Sequence, residues 1–214
     1  MPYPQDLVGR FVAYRVDPGG TMNTGMAAQL VNGLLPGQTT AAAVAVYTGT
    51  PFNNTNAPWN FTFLKYFAGA VTTAPLAGGA VMTGPMSGCY LCKYTQGGAQ
   101  GLAHIGTANA VDSAESIAVK TAWRTFVARN DVSQVTGGTP FDYFTTSEFQ
   151  AAMLSPSAIP SVVGYFAGGS SYAMLLAPVP QSMNPPVPLL KVAGLKSMTL
   201  QPWATIAGLR TFRM

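Results

Sequence analysis

The residues best suited to covalent chemistry lie in one stretch of the chain, between positions 87 and 107. This stretch contains both cysteines of the protein, Cys89 and Cys92, and its only histidine, His104. A thiol that gives its proton to a nearby imidazole becomes a nucleophile able to attack a carbonyl or carboxamide carbon. The function therefore depends on whether the fold brings one of these cysteines close to His104.

A β-hairpin is predicted to bring them together. Alternating residues flank the Thr-Gln-Gly-Gly segment at 95–98, which is typical of two strands joined by a four-residue turn. This turn would set Cys89 directly opposite His104 on one face of the sheet, where opposed Cβ atoms lie roughly 4.5–5.5 Å apart. Cys92 would point to the other face, because residues three apart on a strand face different ways. A slip of one residue would separate Cys89 from His104, so the pairing depends on the turn.

The same residues are also compatible with other chemistry. Cys89 and Cys92 form a C-x-x-C pair, but a thioredoxin-type pair stands at the start of a helix, and strand and turn residues follow here. We therefore expect two free thiols, with Cys92 as a small packed residue of the core. Zinc would need further ligands, and no metal or cofactor is expected. A buried, unreactive thiol beside a satisfied histidine remains an alternative for Cys89 and His104.

The elements around this stretch predict one α+β domain over residues 1–214, a β-sandwich or a curved mixed sheet with flanking helices. Glycine and proline are frequent, at 23 and 17 residues, which favours turns and short strands. Alternating or continuous apolar patterns predict strands at 7–16, 38–50, 59–65, 80–82, 162–166, 171–176, 188–192 and 206–212. Capping residues and helical spacing predict helices at 24–32, from a capping box at 112–115 to Asn130, and from a second box at 145–148 to before Pro156.

Charge and the length of the apolar runs argue against a nucleic-acid partner and against a membrane-spanning helix. Only 8% of the residues are charged, and the 11 basic residues are scattered, so no nucleic-acid footprint is indicated. No apolar run reaches the ~18 residues of a membrane-spanning helix. The first residues carry charges and lack a continuous apolar segment, so we expect no cleaved signal peptide.

The motif Ser-Gly-Cys at 87–89, followed by His-Ile-Gly-Thr at 104–107, resembles the catalytic core of a known family. The family comprises cytotoxic necrotizing factor-type toxins, Burkholderia lethal factor 1 and the chemotaxis deamidase CheD. The resemblance covers about residues 82–107. Met86 and Ile105 depart from the family's usual leucine and threonine, while the cysteine and the histidine are retained.

This resemblance implies a β-sandwich with flanking helices that deamidates a glutamine side chain of a protein. Cys89 would be the nucleophile and His104 its base. Thr83, six residues before the cysteine, would orient the histidine, unless a backbone carbonyl further upstream does so. Backbone N–H groups of Gly88 and Cys89 would hold the oxyanion. No metal or cofactor is implied.

The resemblance also sets expectations about biology. The substrate would be a protein of a host cell, such as a small GTPase or a translation factor. The chain would be secreted, or injected into the host cytosol, and would act as a monomer. Two alternatives remain open at this point: a non-catalytic, β-rich binding module and a cysteine–histidine protease.

Overall fold

A computed structural model describes residues 4–13, 20–21, 35–36, 39–44, 46–47, 59–77, 79–107, 113–180 and 189–208. These residues form an α+β fold of two main β-sheets with flanking helices. In chain order the strands are β1 (Phe11–Val12), β2 (Gly20–Thr21), β3 (Leu35–Pro36), β4 (Thr39–Val44), β5 (Val46–Tyr47), β6 (Trp59–Lys65), β7 (Phe67–Ala68), β8 (Val71–Pro75), β9 (Val81–Met86), β10 (Tyr90–Gln96), β11 (Ala99–Ile105), β12 (Val132–Gly138), β13 (Ser161–Ala167), β14 (Ser170–Pro178), β15 (Leu190–Ser197) and β16 (Gln201–Pro202). The helices are α1 (Ala114–Val127), α2 (Thr146–Ala152) and α3 (Trp203–Gly208), and short 3-10 turns cover Pro4–Leu7 and Pro140–Tyr143.

Two main sheets carry most of these strands, and a short parallel pair, β2 and β7, stands apart from them. Among the described strands, the larger sheet has the order β4-β6-β9-β13-β14-β15-β1-β5, and the smaller has the order β16-β12-β10-β11-β8-β3. Strand β9 of the larger sheet is followed in the chain by β10 of the smaller one. The short segment between these two strands contains Cys89, so the cysteine lies where the chain passes from one sheet to the other.

An apolar layer between the two sheets forms the core around this crossing. It contains Leu64 and Met86 from the larger sheet and Leu91 and Leu102 from the smaller one. Cys89 belongs to the same buried cluster. The outer face of the smaller sheet packs against α1 instead, so alternate residues of β10 and β11 face different layers.

Helix α1 forms close to where the sequence predicted it. Its N-cap is Ser113, whose side chain accepts a hydrogen bond from the Ser116 N–H at 3.2 Å, rather than the box opened by Asp112. The apolar stripe that includes Trp123 and Phe126 is buried against the sheet, as the helical spacing indicated. The capping box at Thr145 and Glu148 of α2 is confirmed.

Several other predicted elements differ from the structure. The stretch 206–212 was predicted as a strand, but Ile206 lies in α3, where it is buried beside Trp123. Trp203 and Ile206 are three residues apart, so a helix turns both toward α1. The strand predicted at 7–16 is reduced to Phe11–Val12 after a 3-10 turn. The helix predicted at 24–32 and residues 209–212 lie outside the described part of the chain.

Strands β8 and β12 were not predicted, since neither segment has a long alternating pattern. Both flank the hairpin that contains His104: β8 pairs with β11, and β12 pairs with β10. Within the described residues, no helix has both the length and the apolar composition that crossing a membrane requires.

Candidate active site

The predicted hairpin forms, but its turn is shorter than the sequence indicated. Gln96 pairs with Ala99, which leaves a two-residue turn at Gly97 and Gly98. Their φ angles are +54° and +86°, the left-handed values that a tight hairpin turn requires and that glycine adopts readily. The expected pairing of Cys89 with His104 is therefore wrong. The residue opposite His104 is Leu91.

The faces of the hairpin nevertheless agree with the prediction, because the register differs by two residues rather than one. Leu91 and Cys89 both pack between the two sheets, on the side that His104 shares with its partner Leu91. Cys92 packs on the opposite side, in the cluster that contacts α1. Both cysteines are free thiols, as expected.

Thr83 reaches His104 from the other sheet. The Thr83 Oγ1 and His104 Nδ1 atoms are 2.7 Å apart, and the two residues are 0% and 1% exposed. The pairing of β9 with β13 is irregular between Val162 and Gly164, since Thr83 pairs with Gly164 and Met86 pairs with Val162. Both Val81 and Met86 face the layer between the sheets as a result, and Thr83, two residues after Val81, faces it too.

His104 is a buried, neutral imidazole. Burial lowers its pKa from the usual value of 6.5 to about 3, so the imidazole carries no charge at pH 7. Its Nδ1 atom is held by Thr83, whereas its Nε2 atom is buried without a hydrogen-bond partner. One ring nitrogen therefore has a hydrogen-bond partner, and the other has none.

The thiol of Cys89 is also neutral in this structure. Burial raises its pKa to about 11, and hydrogen bonds with the side chain and backbone of Thr107 and with the backbone of Ser87 and Gly88 act in the opposite direction. The thiol donates a long hydrogen bond to the Thr107 carbonyl oxygen at 3.9 Å. No hydrogen bond joins it to His104 Nε2.

Tyr66 completes the group of side chains around the thiol and the imidazole. Its ring lies 5.1 Å from that of His104 with an interplanar angle of 32°, and its hydroxyl donates to the Thr107 carbonyl oxygen at 3.3 Å. Tyr66 was not predicted as a site residue. Tyr66 follows a half-buried strand and belongs to no motif, so no local signal distinguishes it from any other aromatic residue.

The exposed side of this group lies at the Ser-Gly-Cys segment. Ser87 and Gly88 are exposed, Thr107 is half-buried, and Cys89 is only 3% exposed. The Thr107 hydroxyl donates to the Gly88 carbonyl oxygen at 3.2 Å and so ties the two motif segments together. A Cβ atom added at Gly88 would meet nothing within 4 Å. Gly88 thus leaves open space beside the thiol.

Gly106 has a different role, because it lets the chain pass close to the segment that contains Tyr66. A Cβ atom there would lie 2.2 Å from the Phe67 carbonyl oxygen and 3.0 Å from the Tyr66 ring. We expect Gly106→Ala to lower the free energy of unfolding by ~1–3 kcal/mol, the usual cost of overpacking. Urea denaturation measures this, with Gly88→Ala as the control that should leave stability unchanged. Equal stability of the two variants would contradict the close approach.

The two thiols should react very differently. In the folded protein, iodoacetamide should modify Cys89 and spare Cys92, since Cys92 is fully buried behind α1. Only the thiolate reacts, so with a pKa of about 11 the rate at Cys89 should still rise about tenfold per pH unit between neutral and alkaline pH. Peptide mapping of the alkylated protein gives both results. Faster labelling of Cys92, or a plateau already at neutral pH, would contradict the described site.

In the described part of the chain, no three His, Cys, Asp or Glu residues are grouped so that they could hold a metal ion. A comparison with protein-family models, with curated proteins and with solved structures finds no match to this chain.

Proposed function

We propose that this protein is a cysteine-dependent protein-glutamine deamidase, with Cys89 as nucleophile and His104 as its base. One observation carries the proposal: Thr83 Oγ1 lies 2.7 Å from His104 Nδ1, while His104 Nε2 is buried without a partner. A packed, unreactive histidine would be expected to use both ring nitrogens. The free Nε2 atom on the same side of the hairpin as Cys89 suits a proton acceptor.

This role needs the tautomer in which Nδ1 carries the proton, and Thr83 Oγ1 is placed to accept from it. With the Nδ1–H group donating to Thr83 Oγ1, the lone pair of the imidazole is at Nε2, on the unpartnered side of the ring. The short contact also fixes the plane of the ring between the two sheets. Thr83 thereby takes the orienting role that the family resemblance implies.

The thiol proton must leave Cys89 before or during attack. At rest both groups are neutral, because burial disfavours the thiolate and the imidazolium alike. We infer that the substrate carboxamide brings the sulfur and Nε2 together, so that proton transfer and attack on the carboxamide carbon occur together. This neutral start keeps the thiolate fraction of Cys89 low until a substrate is bound.

The remaining steps conserve atoms and charge. The sulfur bonds to the carboxamide carbon, and backbone N–H groups at Gly88 and Cys89 can stabilise the oxyanion. The imidazolium of His104 gives its proton to the departing amide nitrogen, which leaves as ammonia. A water molecule, deprotonated by His104, then hydrolyses the thioester and releases glutamate.

The exposure of Ser87 and Gly88 suits a side chain presented by a folded protein, since the exposed motif segment lies directly beside the buried thiol. We propose a glutamine of a host-cell protein as substrate, with a small GTPase or a translation factor as the kind of target that the resemblance implies. Action in the host cytosol as a monomer, after secretion or injection, belongs to the same proposal.

Peptide mapping of a host-cell extract tests the function. The wild-type chain should convert a defined glutamine of one or a few proteins to glutamate, and Cys89→Ser should not. Cys92→Ser is the matched control and should produce the same conversions as wild type. New protein termini in place of glutamate residues would indicate a protease, and identical maps for wild type and Cys89→Ser would contradict the enzyme assignment.

A further inference from the structure

Tyr66 contacts His104 and shares a hydrogen-bond acceptor with Cys89, although it belongs to neither motif. Its hydroxyl and the Cys89 thiol donate to the same acceptor, the Thr107 carbonyl oxygen, at 3.3 Å and 3.9 Å. Its ring covers the His104 imidazole at a centroid distance of 5.1 Å. The phenol and the thiol therefore lie around one oxygen atom, and the Cys89 charge is close enough to raise the pKa of Tyr66.

The position of Tyr66 is fixed by the backbone rather than by chance packing. The segment after it is tied to the end of β11 by two hydrogen bonds, from Gly69 N–H to Gly106 O at 2.7 Å and from Gly106 N–H to Ala70 O at 2.8 Å. Gly106 has no side chain, which allows this close approach beside the Tyr66 ring. These contacts place the backbone beside Tyr66 next to the end of the strand that contains His104.

We propose that Tyr66 is a further catalytic residue, whose hydroxyl becomes the hydrogen-bond donor to the Cys89 thiolate once the thiol proton moves to His104. The step is balanced: the proton passes from sulfur to Nε2, and Tyr66 keeps its own proton while its hydrogen bond moves from Thr107 O to Sγ. The role of Tyr66 in turnover rests on the deamidase proposal. The effect of its hydroxyl on the reactivity of the Cys89 thiol does not.

The electrostatics of the site agree with a donor that stays protonated. Tyr66, which lies between β6 and β7, is a titratable group that responds to the charge of Cys89. Burial and the nearby Cys89 charge together raise the pKa of Tyr66 to about 12, so the phenol keeps its proton when Cys89 ionises. Hydrogen bonds to an ionised acceptor are shorter and stronger than those to a neutral one, which favours the shift toward the thiolate.

Tyr66→Phe tests the role, because it keeps the ring over His104 and removes only the hydroxyl. Losing one donor to a charged group should raise the apparent pKa of Cys89 alkylation by about one unit, which is a tenfold slower reaction at a given pH. The matched control is Tyr143→Phe, since the Tyr143 hydroxyl also donates to a backbone carbonyl, that of Thr199, at 3.1 Å. This control should reproduce the wild-type pH profile of iodoacetamide alkylation.

A second variant covers the case in which Tyr66→Phe does not fold. Replacing Tyr66 by 3-fluorotyrosine keeps the shape and makes the hydroxyl a stronger donor, so alkylation at a given pH should become faster. Wild-type profiles for both variants, or an equal shift for Tyr143→Phe, would overturn the role of Tyr66. The deamidase proposal fails separately, if the wild-type chain converts no glutamine while the alkylation profile still responds to Tyr66.

Discussion

Cys89→Ser is expected to abolish the conversion of glutamine to glutamate, while Cys92→Ser retains most of it. Only Cys89 lies on the side of the hairpin that faces His104 and Thr83, and Cys92 packs against α1 on the other side. A serine hydroxyl is far less acidic than a thiol and gives no comparable nucleophile in this buried position. Loss of a nucleophile can cost on the order of 10⁶ in kcat.

The measurement is the rate of glutamate formation on an identified target, together with the circular dichroism spectrum of each variant. Cys92→Ser replaces a fully buried thiol by a hydroxyl in an apolar cluster, so some loss of stability is expected without loss of chemistry. Comparable loss of activity in two variants that are both folded would contradict the assignment of Cys89.

His104→Ala is expected to lower kcat by ~10²–10⁴-fold or more, since it removes the group that takes the thiol proton. Thr83→Val should have a smaller effect. It removes the hydroxyl that lies 2.7 Å from Nδ1 but keeps the shape of the side chain. One unpaired buried group costs ~1–3 kcal/mol, which corresponds to about 5–150-fold in rate if it is all expressed in the transition state.

Thr83→Ser is the matched control, because it keeps an oxygen at the same position. Its rate should lie close to that of wild type, and all three variants should be measured as initial rates of deamidation at saturating target. If Thr83→Val proved as active as Thr83→Ser, the hydroxyl would not orient His104. If His104→Ala kept the wild-type rate, the pair of Cys89 and His104 would not act together.

The faces of the hairpin could be predicted from sequence, whereas its register could not. The side chain alternates strictly along a strand, so Cys89 and Cys92 must point to different layers whatever the turn. The length of the turn was ambiguous, because Gly97 and Gly98 can form a two-residue turn alone or belong to a longer loop. The sequence could not decide between these, and the pairing of His104 with Leu91 follows from the shorter turn.

Contacts that depend on the packing of the two sheets were the least predictable. Thr83 was found through the motif resemblance, and its approach to His104 needs β9 and β11 to face each other across the core. Tyr66 had no such motif, and it reaches His104 only because the segment after β6 is tied to Gly106. Ile206 is a further example. Its apolar segment is compatible with a strand from sequence alone, and it forms a helix because Ile206 packs beside Trp123.

Deamidation in ¹⁸O-labelled water, on a target glutamine identified by peptide mapping, tests the central claim most directly. Hydrolysis of a Cys89 thioester should place one solvent oxygen in the new glutamate side chain, with one ammonia released for each glutamine lost. The peptide backbone should stay intact. Solvent oxygen at a newly formed C-terminus instead, or equal label in a reaction with Cys89→Ser, would contradict the mechanism.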